Sequence, residues 1–143
     1  MSTIIVGVDL SDSSTRAVEL ATRIARSLDL PLIIVHVIPW SPYSFQTQAE
    51  NDYRPRERKA EIAAAEEQVI EPMVALTKDL EKPVETLVRH GKPSDLLIDI
   101  AEERKAAHLI VGRTGDSGLK VSLFGSVASR LVQHAPVPVT VVP

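Results

Sequence analysis

Five short runs of branched apolar residues recur along this chain, and segments with helical periodicity separate them. Such runs are typical of strands buried on both faces of a sheet, and parallel strands need a crossover helix between them. The chain therefore predicts an α/β fold, a doubly wound and mainly parallel five-stranded sheet with helices on both faces. The predicted strands cover residues 3–8, 32–38, 84–88, 108–112 and 137–142.

Helical patterns mark the segments between these strands. From Ser13 to Leu28, apolar residues recur at i, i+3 and i+4, which predicts a helix with one buried stripe. Pro72 should kink or split the long helix after the second strand, because proline lacks an amide hydrogen. Residues 39–54 hold four of the five aromatic residues without periodicity and are predicted to form a long loop. The predicted helices cover residues 13–28, 56–80, 93–105 and 126–134.

Length and composition restrict the classes of function. At 143 residues the chain is expected to form a single domain over residues 1–143. Its net charge of −3 argues against nucleic acid as the main partner. The absence of cysteine excludes disulfides and thiolate sites and fits a reducing compartment. No secretory leader and no run of about 20 apolar residues is found, so we expect no membrane insertion and a cytoplasmic location.

A glycine-rich segment follows the fourth predicted strand and leads into a helix. It reads VGRTGDSGLKVSLFGSVASR, with Gly112, Gly115, Gly118, Gly125 and Ser126. Glycines let the backbone approach a ligand closely, and helix starts favour anions. Ligands of doubly wound sheets bind beyond the carboxyl ends of the strands. The segment therefore predicts either a phosphate cradle or a tight connection in which Ser126 only caps the helix.

This segment and several others resemble the universal stress protein family over nearly the whole chain. The spacing Gly112-x2-Gly115-x9-Gly125-Ser126 is similar to the nucleotide-binding pattern of that family. IIVGVDLSDSS, VHVIP, HGKPSDLLIDIAEE and HAPVPVTVVP are similar to its recurring segments. The resemblance implies the strand order 3-2-1-4-5 and ATP, with or without Mg²⁺, between the carboxyl ends of strands one and four. His108 departs from the acidic residue that is common at this position.

The resemblance also implies ten site residues. The adenosine side would be lined by Gly7, Val8, Asp9 and Val37. The phosphate loop would begin at Val111 and Gly112, and the phosphates would be held by Gly115, Gly125, Ser126 and Val127. Asp9 can accept a hydrogen bond from a ribose hydroxyl or the adenine amine, or alternatively cap the first helix.

The function that the resemblance implies is an ATP-binding stress or regulatory protein that acts through partners or assembly. Fast phosphoryl transfer needs a base, an acid-held metal and cationic clamps, and the sequence shows no such set, so we expect slow hydrolysis at most. One alternative is an interaction protein of the same fold without a nucleotide. A phospho-acceptor receiver domain is another, although strand three ends in Arg89 and His90 rather than aspartate. The histidines at positions 36, 90 and 134 lack metal-ligand spacing and are interpreted as structural.

The last predicted strand is the part of the sequence that bears on assembly. Pro138 cannot donate to a sheet ladder from a central position, so this end of the strand is predicted at an edge or a bulge. An apolar edge strand needs cover. The resemblance implies a homodimer in which the C-terminal strands of two subunits pair antiparallel, together with a protein partner that the sequence does not identify.

Overall fold

Five strands form one sheet in this computed structural model, which describes residues 2–39, 48–113 and 125–143. All strand pairs are parallel and the order is β3-β2-β1-β4-β5, which confirms the predicted fold class and strand order. The strands are β1 (Thr3–Val8), β2 (Leu32–Pro39), β3 (Glu85–Gly91), β4 (Ala106–Gly112) and β5 (Val139–Val142).

Helical segments connect the strands: α1 (Asp12–Leu28), α2 (Gln48–Ala65), α3 (Glu71–Val74), α4 (Pro93–Glu103) and α5 (Ser126–His134). A π-helical turn (Glu66–Ile70) joins α2 to α3, and a 3-10 turn (Ala75–Thr77) follows. In the π turn the Glu71 N–H donates to the Glu66 carbonyl, five residues back. Pro72 lies in the first turn of α3, directly after the π turn, so the long helix is split next to the proline as predicted. No helix within the described ranges combines the length and apolar character needed to cross a bilayer.

The prediction of a loop over residues 39–54 is wrong at both of its ends. Pro39 is the last residue of β2, and α2 already begins at Gln48. The prediction relied on apolar periodicity, which residues 48–54 lack, whereas their glutamine, alanine and glutamate favour helix by intrinsic propensity. Residues 40–47 lie outside the described part of the chain.

The core has two apolar layers, one on each face of the sheet. Residues of β1 alternate between them: Ile4 and Val6 pack against α1 and the π turn, whereas Ile5 packs against α4 and α5. The face of α1 in this contact consists of Ala17, Val18, Ala21 and Ala25, all buried. Each fully buried valine or isoleucine stabilises the fold by roughly 1.5–3 kcal/mol. Burial on both faces explains why the strands read as unbroken apolar runs.

The carboxyl edge of the sheet has a notch because β1 ends earlier than its neighbours. β1 ends at Val8, opposite His36 of β2, whereas β2 continues to Pro39. On the other side β4 continues to Gly112, one residue beyond its last pairing with β1. Strands on the two sides of the notch lead to helices on opposite faces, so the notch is the topological switch point where this class of sheet binds ligands.

The connection between α4 and β4 stores backbone strain at Lys105. Its φ of 52° lies in the left-handed region, which costs a residue with a Cβ on the order of 1 kcal/mol. We expect Lys105→Gly to raise the free energy of unfolding by about 1 kcal/mol in urea denaturation. Lys105→Ala is the matched control, since it removes the charge and keeps the Cβ. An equal gain in both variants would assign the effect to the charge instead.

Candidate functional site

The notch opens into a cavity of about 500 Å³, a size typical of small-molecule sites. Its wall is built from the carboxyl ends of β1, β2 and β4 and from the first turns of α4 and α5. The lining includes nine predicted site residues: Gly7, Val8, Asp9, Val37, Val111, Gly112, Gly125, Ser126 and Val127. The tenth, Gly115, lies outside the described residues. The structure thus brings these nine together, and their contact with a nucleotide stays a prediction.

Several lining residues were not found from the sequence. Pro93 and Leu97 come from α4, Val69 from the π turn and His36 from β2. The start of α4 follows the carboxyl end of β3, so the rule that ligands lie beyond strand ends could have found Pro93. No sequence pattern identifies Val69 as a lining residue, because its position depends on how the π turn packs against β2.

Asp9 lies at the start of the connection from β1 to α1. Its Oδ1 accepts hydrogen bonds from the Ser11 N–H (2.8 Å), from the Ser14 hydroxyl (2.9 Å) and from the Ser11 hydroxyl. The carboxylate therefore holds the residues at the start of α1. This role is similar to the helix capping considered from the sequence, but the N-cap residue of α1 is Ser11 rather than Asp9. Oδ2 accepts no hydrogen bond from the described residues, which leaves one carboxylate oxygen for a ligand.

Two main-chain hydrogen bonds close the base of the segment that runs from Arg113 to Gly125. The Arg113 N–H donates to the Val142 carbonyl (2.6 Å), and the Gly125 N–H donates to the Arg113 carbonyl (2.7 Å). Because the Gly125 amide is already engaged, it cannot donate to a phosphate oxygen. The amides that can serve this role begin one residue later.

The first turn of α5 presents those amides to the cavity. Ser126, Val127 and Ala128 all line it, and the first helical bond runs from the Ser129 N–H to the Gly125 carbonyl (3.1 Å). Gly125, the N-cap, supplies no side-chain cap. Three first-turn amides therefore have no hydrogen-bond partner among the described residues, and the helix dipole adds partial positive charge. This end of the cavity suits an anion.

Two glycines in the cavity wall are closely packed. A Cβ on Gly112 would lie 2.2 Å from the Ser13 Oγ and 2.8 Å from the Ser13 Cβ, so the missing side chain lets β4 touch the start of α1. A Cβ on Gly7 would lie 3.0 Å from Leu97 Cδ1 and 3.2 Å from Val111 Cγ1. Gly112 in particular has a structural reason to be glycine, independent of any ligand.

The cavity wall is mainly apolar and carries few polar groups. Asp9 and His36 are the ionisable side chains among the described lining residues. Within the ranges 2–39, 48–113 and 125–143, no three histidine, aspartate or glutamate side chains come together as a metal-ligand set. An apolar chamber with an anion site at one end fits a ligand that joins a flat apolar ring system to a phosphate.

The fold and the site together define an α/β protein with a small-molecule cavity at the switch point of a parallel sheet. The model of the Universal stress protein family matches residues 1–143, and the chain belongs to this family. Universal stress protein Rv1636 of Mycobacterium tuberculosis (strain ATCC 25618 / H37Rv) is 33% identical over 141 residues, which cover 98% of this chain and 94% of the relative.

Two similar solved structures contain adenine nucleotides. A universal stress protein in complex with cAMP is 29% identical, with 99% of this chain and 96% of the other covered and a TM-score of 0.70. The universal stress protein from Archaeoglobus fulgidus in complex with dAMP is 25% identical, with 100% and 98% covered and a TM-score of 0.71.

Proposed function

We propose that this chain binds ATP in the cavity at the notch and acts as a nucleotide-dependent stress or regulatory protein in the cytoplasm. The observation that carries the proposal is the first turn of α5, which has no side-chain cap among the described residues and whose three amides border an apolar chamber. The cAMP and dAMP complexes of similar proteins support an adenine nucleotide as the ligand class.

The adenine ring would lie in the notch beyond β1. Val37, Leu97 and Val111 supply apolar surface there. β1 does not pair beyond Val8, so the last residues of β2 have no strand beside them on that side. The Val37 carbonyl points to that side and can accept a hydrogen bond from the adenine amine. Asp9 Oδ2 would accept from a ribose hydroxyl.

The phosphates would lie at the start of α5. Amide hydrogen bonds to a charged oxygen are worth about 1.5–3 kcal/mol each, more than bonds between neutral groups. We propose that Gly115 adds to this cradle and that Mg²⁺ enters with the triphosphate. We propose slow hydrolysis at most, so that the presence of nucleotide, rather than its turnover, is what protein partners detect.

Ser126→Pro tests the proposal by deleting one main-chain donor. Ser126 is the first residue of α5, where proline is favoured, and Gly125 before it has φ −64° and ψ 158°, which suits a residue preceding proline. We expect Mg-ATP affinity in calorimetry to fall at least tenfold, about 1.4 kcal/mol, with circular dichroism unchanged. Ser126→Ala, which keeps the amide, should lose no more than about threefold, since a neutral hydroxyl contributes less.

Equal affinities of the proline and alanine variants would contradict a phosphate at these amides. If the wild-type protein binds no adenine nucleotide at all, the alternative of an interaction protein without a nucleotide takes its place.

We also propose that two copies pair through β5, which lies at the edge of the sheet. The Pro138 carbonyl accepts from the Leu109 N–H of β4 (3.0 Å), and the Val142 carbonyl accepts from the N–H of Arg113, the residue after β4 (2.6 Å). Main-chain groups of a strand point alternately to its two sides. Those of Val139 and Val141 therefore point away from β4, towards the open edge. A second β5 can satisfy them in an antiparallel pair about a two-fold axis.

A further inference from the structure

Leu10 is an exposed leucine at the rim of the cavity. It is 63% exposed, the largest fraction among the large apolar residues of the described chain. The other large apolar residues that are exposed within the described ranges are Leu28, Leu76 and Val132, and none of these lines the cavity. Leu10 therefore combines an apolar surface that faces water with a place at the proposed site.

The residues on either side of Leu10 are both anchored. The Ser11 N–H donates to Asp9 Oδ1 at 2.8 Å, which bends the chain around Leu10. The Asp9 N–H donates to the Ser14 Oγ at 2.8 Å, and Ser14 lies in the first turn of α1. The backbone at Leu10 is thus fixed at the rim before a ligand arrives, so binding requires little further ordering there.

The cavity lies between the two apolar layers of the core. Leu97 and Ala128, both buried, belong to the layer of α4 and α5. Val69 belongs to the layer of α1 and the π turn. Leu10 lies on this second side, because it is part of the connection from β1 to α1. A flat ring in the cavity would have buried apolar residues on one side and Leu10 with Val69 on the other.

A bound ring would remove apolar surface of Leu10 from water, which stabilises a complex in proportion to the area removed. A phosphate chain presents charged oxygens and no apolar surface, so it gains nothing from the same contact. The contribution of Leu10 should therefore depend on the nucleoside part of the ligand.

We propose that Leu10 covers the nucleoside of the bound nucleotide from the α1 side and so favours ligands with a ring system over phosphate chains. The proposal rests on the nucleotide-binding function proposed above. It deepens that function by naming a residue that determines which class of ligand the cavity prefers.

A single introduced thiol tests the contact directly. The chain contains no cysteine, so Leu10→Cys carries one reactive thiol. We expect saturating AMP to slow its alkylation by iodoacetamide about fivefold or more, because a covered thiol is less accessible. Inorganic tripolyphosphate brings negative charge without a ring and should slow it less than about twofold. Leu28→Cys is the matched control, 56% exposed at the far end of the 17-residue α1 and about 25 Å away, and AMP should leave its rate unchanged.

Affinities measured by calorimetry test the preference for a ring. We expect Leu10→Ala to bind AMP about tenfold more weakly, about 1.4 kcal/mol, and tripolyphosphate within about twofold of wild type. Leu10→Met keeps the apolar surface and should bind AMP within about twofold of wild type. Leu28→Ala should leave both affinities unchanged. The unfolding midpoints of these variants without nucleotide should match wild type, because the replaced side chains are exposed.

The covering role and the proposed function fail in different ways. Equal alkylation rates of Leu10→Cys with and without AMP, or an AMP affinity of Leu10→Ala equal to wild type, would overturn the covering role while nucleotide binding itself stands. Equal losses for AMP and tripolyphosphate would overturn it as well. A wild-type protein that binds no AMP would instead refute the proposed function and this role with it.

Discussion

Replacing Gly112 with alanine is expected to lower the free energy of unfolding by about 3 kcal/mol, at the upper end of the usual cost of overpacking. The new Cβ would lie 2.2 Å from the Ser13 Oγ and 3.0 Å from the Ser13 carbonyl carbon. The second contact is with backbone, so the start of α1 must move away from β4. Urea denaturation at constant m-value measures the loss.

Gly7→Ala is the matched control on the neighbouring strand. Its nearest contact, 3.0 Å, is with the end of the Leu97 side chain, which can turn aside, so we expect a loss of about 1 kcal/mol. Ser13→Gly introduced together with Gly112→Ala removes the two closest contacts and should recover part of the stability. Equal losses in the two single variants would show that contact with α1 does not require glycine at residue 112.

The proposed dimer should dissociate when Val141 is replaced by proline. Val141 points its N–H towards the open edge, so proline removes a donor from the pair without breaking a bond to β4. Because the pair is two-fold symmetric, the interface contains the substitution once from each subunit. We expect sedimentation to show at least a tenfold weaker dimer, about 1.4 kcal/mol, from a protein whose circular dichroism is unchanged.

Thr140→Pro is the control, one residue earlier on the same strand. The Thr140 N–H points towards β4, and its hydroxyl lies 2.6 Å from His108 Nε2. Proline there should therefore destabilise the fold itself and lower the unfolding midpoint. If Val141→Pro remains a dimer as tight as wild type, the two copies meet at another surface, and a monomeric wild-type protein would refute the pairing altogether.

Much of the architecture was predictable because it depends on local patterns. A strand buried on both faces must be apolar along its whole length, so TIIVGV and LIIVHVI identified β1 and β2 without tertiary information. The helix over residues 126–134 was predicted with the bounds that α5 has. By contrast, the helical part of residues 48–54 was missed, because those residues have no apolar repeat.

The sequence by itself determined the alternation of strands and helices, and its resemblance to the family implied which residues would gather at the carboxyl edge. Only the tertiary structure decided how they meet. Gly112 touches Ser13, and His36 donates to the Val8 carbonyl, across separations of 99 and 28 residues. Contacts of this kind depend on strand register and on the placement of α1 against the sheet, and both arise from packing of the whole core.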